Sequence, residues 1–139
     1  MGLGLALAQP TRPIAVITGD GEQLMGLGGL VTIAAKRPPN LSIVVLDNGL
    51  FGETGMQVSH SGLGVDLHKV AAAAGFAGSH EVRDMDGIDI LKRDLHKTTG
   101  GPRFATVRIA SREVERTFPP RDGVSVKNKF RVHLGLSIA

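Results

Sequence analysis

The sequence has 139 residues and contains no cysteine, tryptophan or tyrosine; five phenylalanines are its only large aromatics. Without cysteine there are no disulfides, no thiolate nucleophiles and no cysteine-based zinc ribbons, a usage that fits a cytoplasmic protein. Excess charge of one sign is also missing. Sixteen Lys and Arg against thirteen Asp and Glu leave a formal net charge of +3. The basic residues are scattered apart from short clusters at Lys36-Arg37 and residues 127–131. With so few aromatics among them for base stacking, the composition argues against a nucleic-acid partner. No apolar run approaches the roughly 18 residues needed to span a bilayer, which argues against a membrane protein. The opening MGLGLALAQP lacks a basic leader and its apolar run is short, so it reads as the end of a helix and not as a secretion signal.

The rest of the sequence divides into strand-like and helix-like segments with no internal repeat and no linker, as expected for one domain of this length. A chain of this size buries about 68% of its unfolded surface, enough for a real core. Residues 14–18 and 41–46 are apolar runs without polar alternation, the pattern of strands buried on both faces of a parallel sheet. Residues 23–35 place Leu24, Leu27, Val31 and Ala34 at helical spacing, despite Gly26, Gly28 and Gly29. Each glycine weakens a helix; here they are expected to permit close approach to the sheet or to a ligand. Because Gly26-Leu27-Gly28-Gly29 lies within a helical pattern, a dinucleotide loop is disfavoured. Helices are further expected at 66–74, 86–97 and 125–132, strands at 77–82 and 104–109, and an irregular charged tail at 111–122. Strands alternating with helices predict an α/β fold, a parallel sheet with helices on both faces.

Gly19-Asp20-Gly21 ends the first strand and Asp47-Asn48-Gly49 ends the second, with Asn48 lying 28 residues after Asp20. That distance is about what a strand–helix–strand crossover needs. Both strand ends then open on the carboxyl edge of the sheet, where α/β folds bind ligands. A carboxylate and an amide side by side there suit Mg²⁺, which takes six oxygens, several of them from phosphate and water. Asp20 offers a charged oxygen, Asn48 a neutral one, and a backbone carbonyl just beyond Asn48 a third. Gly19 and Gly21 are expected to let the backbone approach a phosphate and to adopt turns closed to other residues. The helix that follows would aim its N-terminal N–H groups at the anion. Asp and Asn also favour helix caps and turns, so neither residue alone would carry the reading.

VITGDGEQLMGLGGLVTIA followed by LSIVVLDNGLFGETG resembles the cofactor motif of the thiamin-diphosphate-dependent enzymes, a GDG followed after some 25 to 30 residues by an Asn. The likeness continues through DLHKVAAAAGF to PPRDGVSVKNKFR. Within the family the sequence most resembles the small subunits of sulfopyruvate decarboxylase and phosphonopyruvate decarboxylase. The resemblance implies a single thiamin-diphosphate-binding domain of the diphosphate-binding type, with thiamin diphosphate and Mg²⁺ as cofactors. It implies Asp20, Asn48 and the Leu50 carbonyl as metal ligands. It places Gly19, Asp20, Gly21, Glu22, Met25, Asn48, Leu50, Phe51 and Gly52 around the cofactor. Two positions depart from the family pattern: Glu22 stands where a small residue is usual, and Asp47 where Asn is usual. A carboxylate at 22 would repel phosphates unless it turned away.

Residues 49–64 form a glycine-rich stretch too long for a simple connector, and such loops are usually functional. Thr54, Gln57 and His60 are its candidate substrate contacts, for a 2-oxo acid bearing a second anionic group, and Ser59 offers a further donor to that anion. An exposed loop histidine is more often without a role. His68, His80, His96 and His133 show no convergent spacing.

No acid in the chain matches the glutamate that activates the cofactor in this family; it belongs to a pyrimidine-binding domain that these residues do not include. The family also has a further strand, turn and helix before the position of Met1, so the chain reads as N-terminally shortened. Three functions remain open. The first is the cofactor-binding subunit of a 2-oxo acid decarboxylase, in a homo- or hetero-oligomer with a pyrimidine-domain partner that supplies the catalytic glutamate. The second is a non-catalytic binding or assembly module on the same fold. The third is an unrelated Mg²⁺-dependent nucleotide binder.

Overall fold

The computed structural model describes residues 1–112, 115 and 117–138. Six helices and six strands are seen among them, in the order α1 (Gly2–Ala8), β1 (Ile14–Gly19), α2 (Asp20–Met25), α3 (Gly28–Lys36), β2 (Leu41–Asp47), β3 (Leu50–Phe51), β4 (Gln57–Val58), α4 (Leu67–Ala74), β5 (Gly78–Val82), α5 (Met85–Leu95), β6 (Arg103–Arg108) and α6 (Gly123–His133). Four strands form one parallel sheet in the order β1-β2-β6-β5, and β3 and β4 pair as a separate short hairpin. This is the expected α/β architecture.

The sheet separates two apolar cores. On one face Ile14, Leu41, Ile43, Val45 and Phe104 pack against Ala6 of α1, Leu30 and Ala34 of α3 and Leu67 and Ala71 of α4. On the other, Val44, Val82, Ala105 and Val107 pack against Leu91 of α5. Buried Asn40 pins α1 to the start of β2, its Nδ2 lying 3.2, 2.9 and 2.7 Å from the carbonyls of Ala6, Gln9 and Arg12. No helix among the described residues is long and apolar enough to cross a membrane.

Three expectations change. The helix read over residues 23–35 is two helices broken at Gly26-Leu27. There the ladder shortens to three-residue steps, Leu27 N–H to Leu24 O and Gly29 N–H to Gly26 O. Gly28 and Gly29 face open space and bring nothing close; their effect is the low helix propensity that permits the break. Strand β1, read as buried on both faces, is an edge strand with Ile17 66% exposed. The second core, built around α5, does not extend across to it. Finally, the loop over residues 49–64 contains the β3–β4 hairpin. In the expected irregular tail, residues 113, 114 and 116 lie outside the described residues; α6 spans Gly123–His133, slightly more than the expected 125–132.

Candidate functional site

Parallel pairing of β1 with β2 sets Gly19 opposite Leu46, and pairing of β2 with β6 sets Asp47 opposite Arg108. Asp20, Asp47 and Arg108 therefore stand in a row along the carboxyl edge, with Asn48 one residue beyond Asp47. The 28-residue spacing brings Asp20 and Asn48 into the lining of one cleft of about 180 Å³. Gly19, Gly21, Glu22, Leu50, Phe51, Gly52 and Thr54 line it as well. Most of the residues expected around the cofactor therefore converge.

Asp20 is 3% exposed. Its Oδ2 accepts hydrogen bonds from Ser59 Oγ at 2.5 Å and Ser61 Oγ at 2.9 Å. No ion pair reaches it among the described residues. A buried carboxylate without a cation is costly, and hydroxyls offset only part of that cost. The neighbouring Asp47 is equally buried but compensated, with Arg108 Nη1 2.8 Å from its Oδ2. Its Oδ1 accepts from Gly49 N–H at 2.9 Å and lies 2.7 Å from Ser61 Oγ, whose single proton it shares with Asp20 Oδ2.

Asn48 Oδ1 accepts the Leu50 N–H at 2.9 Å in an Asx turn, which fixes the amide and leaves the oxygen a second lone pair. Leu50 faces Val58 across the hairpin, and Ser59 N–H bonds to Gly49 O. Leu50 thus holds a non-hydrogen-bonded position, and the ladder leaves its carbonyl free. Gly49 has φ +74°, and a Cβ at Gly62 would lie 2.4 Å from Gly49 O, so the two backbones cross here without room for side chains. That crossing folds Ser59 and Ser61 back beneath the strand ends.

Neither glycine of the GDG triplet has a positive φ, which corrects the expected turn. Gly21 serves close packing: a Cβ there would meet Phe51 Cδ1 at 2.7 Å. Glu22 does turn back on itself. Its Oε2 accepts from Gly19 N–H and Thr18 Oγ1, each at 2.8 Å. The Gly19 N–H, foremost, and the Thr18 hydroxyl hold its carboxyl below the usual glutamate range. The Gly19 N–H is thus already occupied, and α2 is only six residues long. Asp20, Glu22 and Glu53 line the cleft and no Lys or Arg among the described residues does, so the cleft is acidic and better suited to a cation than to a bare anion.

Met25, 81% exposed, lies outside the cleft in an adjacent apolar hollow of about 360 Å³ with Leu24, Leu27, Phe51, His60 and Val65. Phe51 borders both spaces, and its ring meets His60 edge-on at 6.3 Å. The three candidate substrate residues are not brought together. Thr54 borders the cleft and His60 the hollow, whereas Gln57 turns back on the hairpin, donating Nε2 to Thr54 O at 3.0 Å.

Sequence reasoning missed Arg108 and the contacts of Ser59 and Ser61 with Asp20; Ser59, expected as a donor to a substrate anion, is 0% exposed and bonded to Asp20 instead. The small polar pair two residues apart was visible, but nothing local signalled its burial. Arg108 lies on β6, 60 residues beyond Asn48, and also pairs with Glu81 at 2.6 Å and Asp66 at 3.8 Å. Asp66, His68 and Glu81 gather ligand atoms within 4.8 Å, but Arg108 already pairs with both carboxylates there.

A family profile described as thiamine pyrophosphate enzyme, C-terminal TPP binding domain, matches residues 1–109. The sulfopyruvate decarboxylase subunit beta of Methanothermobacter thermautotrophicus is 43% identical over 109 residues, 78% of this chain and 55% of that protein. The phosphonopyruvate decarboxylase of Streptomyces viridochromogenes is 39% identical over 133 residues, 94% of this chain and 32% of that one. The chain thus spans about half or less of the length of these curated relatives. Among solved structures, the thiamine diphosphate-dependent 4-hydroxybenzoylformate decarboxylase of Rhodococcus jostii RHA1 aligns with a TM-score of 0.65. It is 25% identical, over 81% of this chain and 23% of that one. The 2-oxoglutarate:ferredoxin oxidoreductase of Magnetococcus marinus shares the fold, with a TM-score of 0.62 at 16% identity over 99% of this chain and 68% of that one.

Proposed function

Because this chain belongs to the thiamine pyrophosphate enzymes, as their C-terminal TPP-binding domain, we propose that it is the Mg²⁺–thiamin-diphosphate-binding subunit of a 2-oxo acid decarboxylase. The substrate is a 2-oxo acid with a second anionic group, a sulfonate or phosphonate, as the names of its relatives suggest. A pyrimidine-domain partner completes the site, in keeping with relatives named as beta subunits.

The observation that carries this reading is Asp20: a buried carboxylate with no cation, in one cleft with Asn48 and a hairpin that leaves the Leu50 carbonyl free. Asp20, Asn48 Oδ1 and the Leu50 carbonyl would hold the metal, one charged and two neutral oxygens, with phosphate and water completing six. Thiamin diphosphate, when bound, supplies the nucleophilic carbon and the electron sink that decarboxylation of a 2-oxo acid requires. The chain's own residues bind and orient. Gly21 and Phe51 wall the cleft at close contact, and Leu24, Met25 and Leu27 form an apolar hollow beside it. No residue of this chain is assigned the activating acid.

Calorimetry with thiamin diphosphate and with ATP, each with Mg²⁺ and with EDTA, tests this. Binding of thiamin diphosphate should require Mg²⁺, and Asp20→Ala should abolish it while the circular dichroism spectrum persists. Equal affinity in EDTA, or preference for ATP, would overturn the reading. A second reading, a non-catalytic binding module, draws on Glu22, whose carboxylate adds negative charge beside the diphosphate position. Decarboxylation by the reconstituted complex separates the two.

A further inference from the structure

Two buried hydroxyls set the coordination mode of Asp20. Ser59 and Ser61 are 0% and 4% exposed, and both direct their Oγ atoms to the same carboxylate oxygen, Oδ2. Oδ1 accepts no hydrogen bond from the described residues. The arrangement is over-determined: the Ser59 and Ser61 hydroxyls also lie 2.9 Å apart, and Ser61 lies 2.7 Å from Asp47 Oδ1. Two protons thus serve four contacts, and Asp47 is itself held by Arg108. Rotating Asp20 to present both oxygens to a cation would disrupt its contacts with both buried hydroxyls, and a buried hydrogen bond is costly to leave unmade.

We propose that Ser59 and Ser61 are positioning residues that confine Asp20 to one-oxygen coordination through Oδ1 and thereby select Mg²⁺ over Ca²⁺. Mg²⁺ demands a compact octahedron satisfied by single oxygens, whereas Ca²⁺ takes six to eight ligands and often grips a carboxylate by both oxygens. A carboxylate with Oδ2 already taken suits the first ion and handicaps the second. Hydrogen bonds to a ligating carboxylate orient it and contribute to metal affinity. The inference rests on the Mg²⁺–thiamin-diphosphate reading above.

The test is calorimetric affinity for thiamin diphosphate at saturating Mg²⁺ and at saturating Ca²⁺. It is run on the full chain and on Ser59→Ala, Ser61→Ala and Ser61→Thr. The unaltered chain should bind more tightly with Mg²⁺. Each alanine variant should lose about tenfold in Mg²⁺-supported affinity while its Ca²⁺-supported affinity stays level or rises. Ser61→Thr, which keeps the hydroxyl, should retain the original Mg²⁺-to-Ca²⁺ ratio. A purely structural role would weaken both ions alike, and an unchanged ratio in a folded alanine variant overturns the proposal. Should one alanine variant fail to fold, the other decides by the same ratio. If the unaltered chain binds thiamin diphosphate with neither ion, the cofactor reading falls and takes this inference with it.

Discussion

Glu22 is where a single residue most alters the cleft. Its carboxylate caps α2 by accepting from Gly19 N–H, and so occupies a donor of a residue that lines the cleft. The same bonds hold its carboxyl below the usual glutamate range, so it stays charged throughout neutral and mildly acidic solution. Replacing it with a small residue should free that N–H and remove one negative charge from the cleft. Glu22→Ser is therefore expected to bind Mg²⁺–thiamin diphosphate several-fold more tightly, read by calorimetry. Thermal stability should fall by about 0.5–1 kcal/mol for the lost cap. Weaker binding would mean that Glu22 is itself a contact.

At the scale of elements, Arg108 ties together three strand ends and the start of a helix. It reaches Asp47 on β2, Glu81 on β5 and, more distantly, Asp66 at the N-cap of α4. The hydrogen bond from Arg108, aided by Arg83, holds the Glu81 carboxyl below its ordinary value of 4.5, against the opposing effect of burial. A group whose folded-state pKa is depressed stabilises the fold above its unfolded pKa and loses that contribution as pH falls through the folded one. Glu81→Gln should accordingly lower stability by roughly 1 kcal/mol near neutral pH. The gap between variant and parent should close in acid, as protonation of Glu81 sets in below its ordinary range. Chemical denaturation at neutral and at acid pH checks this, and a gap that persists in acid would assign Glu81 a role other than its ion pair. The same network supports Asp47, and through Ser61 it reaches Asp20, so sheet stability and the cleft are physically joined.

For the whole molecule, exposed apolar side chains lie beside the acidic cleft. Met25, 81% exposed, lines the hollow with Leu24 and Leu27, and Leu63 is 74% exposed. Helix α6 also leaves Val124 and Phe130 exposed. Apolar patches of this kind mark interaction surfaces. Light scattering should show an oligomer, or a complex once a pyrimidine-domain chain is added. Decarboxylation of sulfopyruvate or phosphonopyruvate should appear only in that complex. Robust turnover by this chain alone as a monomer would refute the need for a partner's activating acid.

The sequence by itself determined the class of fold and the two anchor positions. Those signals are local: unbroken apolar runs mark strands of a parallel sheet, and a fixed distance between Asp20 and Asn48 measures one crossover. It also contained the glycines at 26, 28 and 29, but whether they break a helix or fit it to a neighbour depends on what lies beside them. Only the tertiary structure answered that: Gly28 and Gly29 face open space, and Gly26 lies against the carbonyls of Glu22 and Gln23 in the preceding turn. Likewise Gly21 was legible as special, while its reason, the Phe51 ring at contact distance, comes from a different element. The exposure of β1 follows from strand order, which no local pattern encodes. The burial of Ser59 and Ser61 against Asp20 spans about forty residues and goes together with the Gly49–Gly62 backbone crossing. Periodicity and spacing act along the chain; hydrogen bonds and ion pairs at the carboxyl edge act across it, between groups that approach only once the sheet is built.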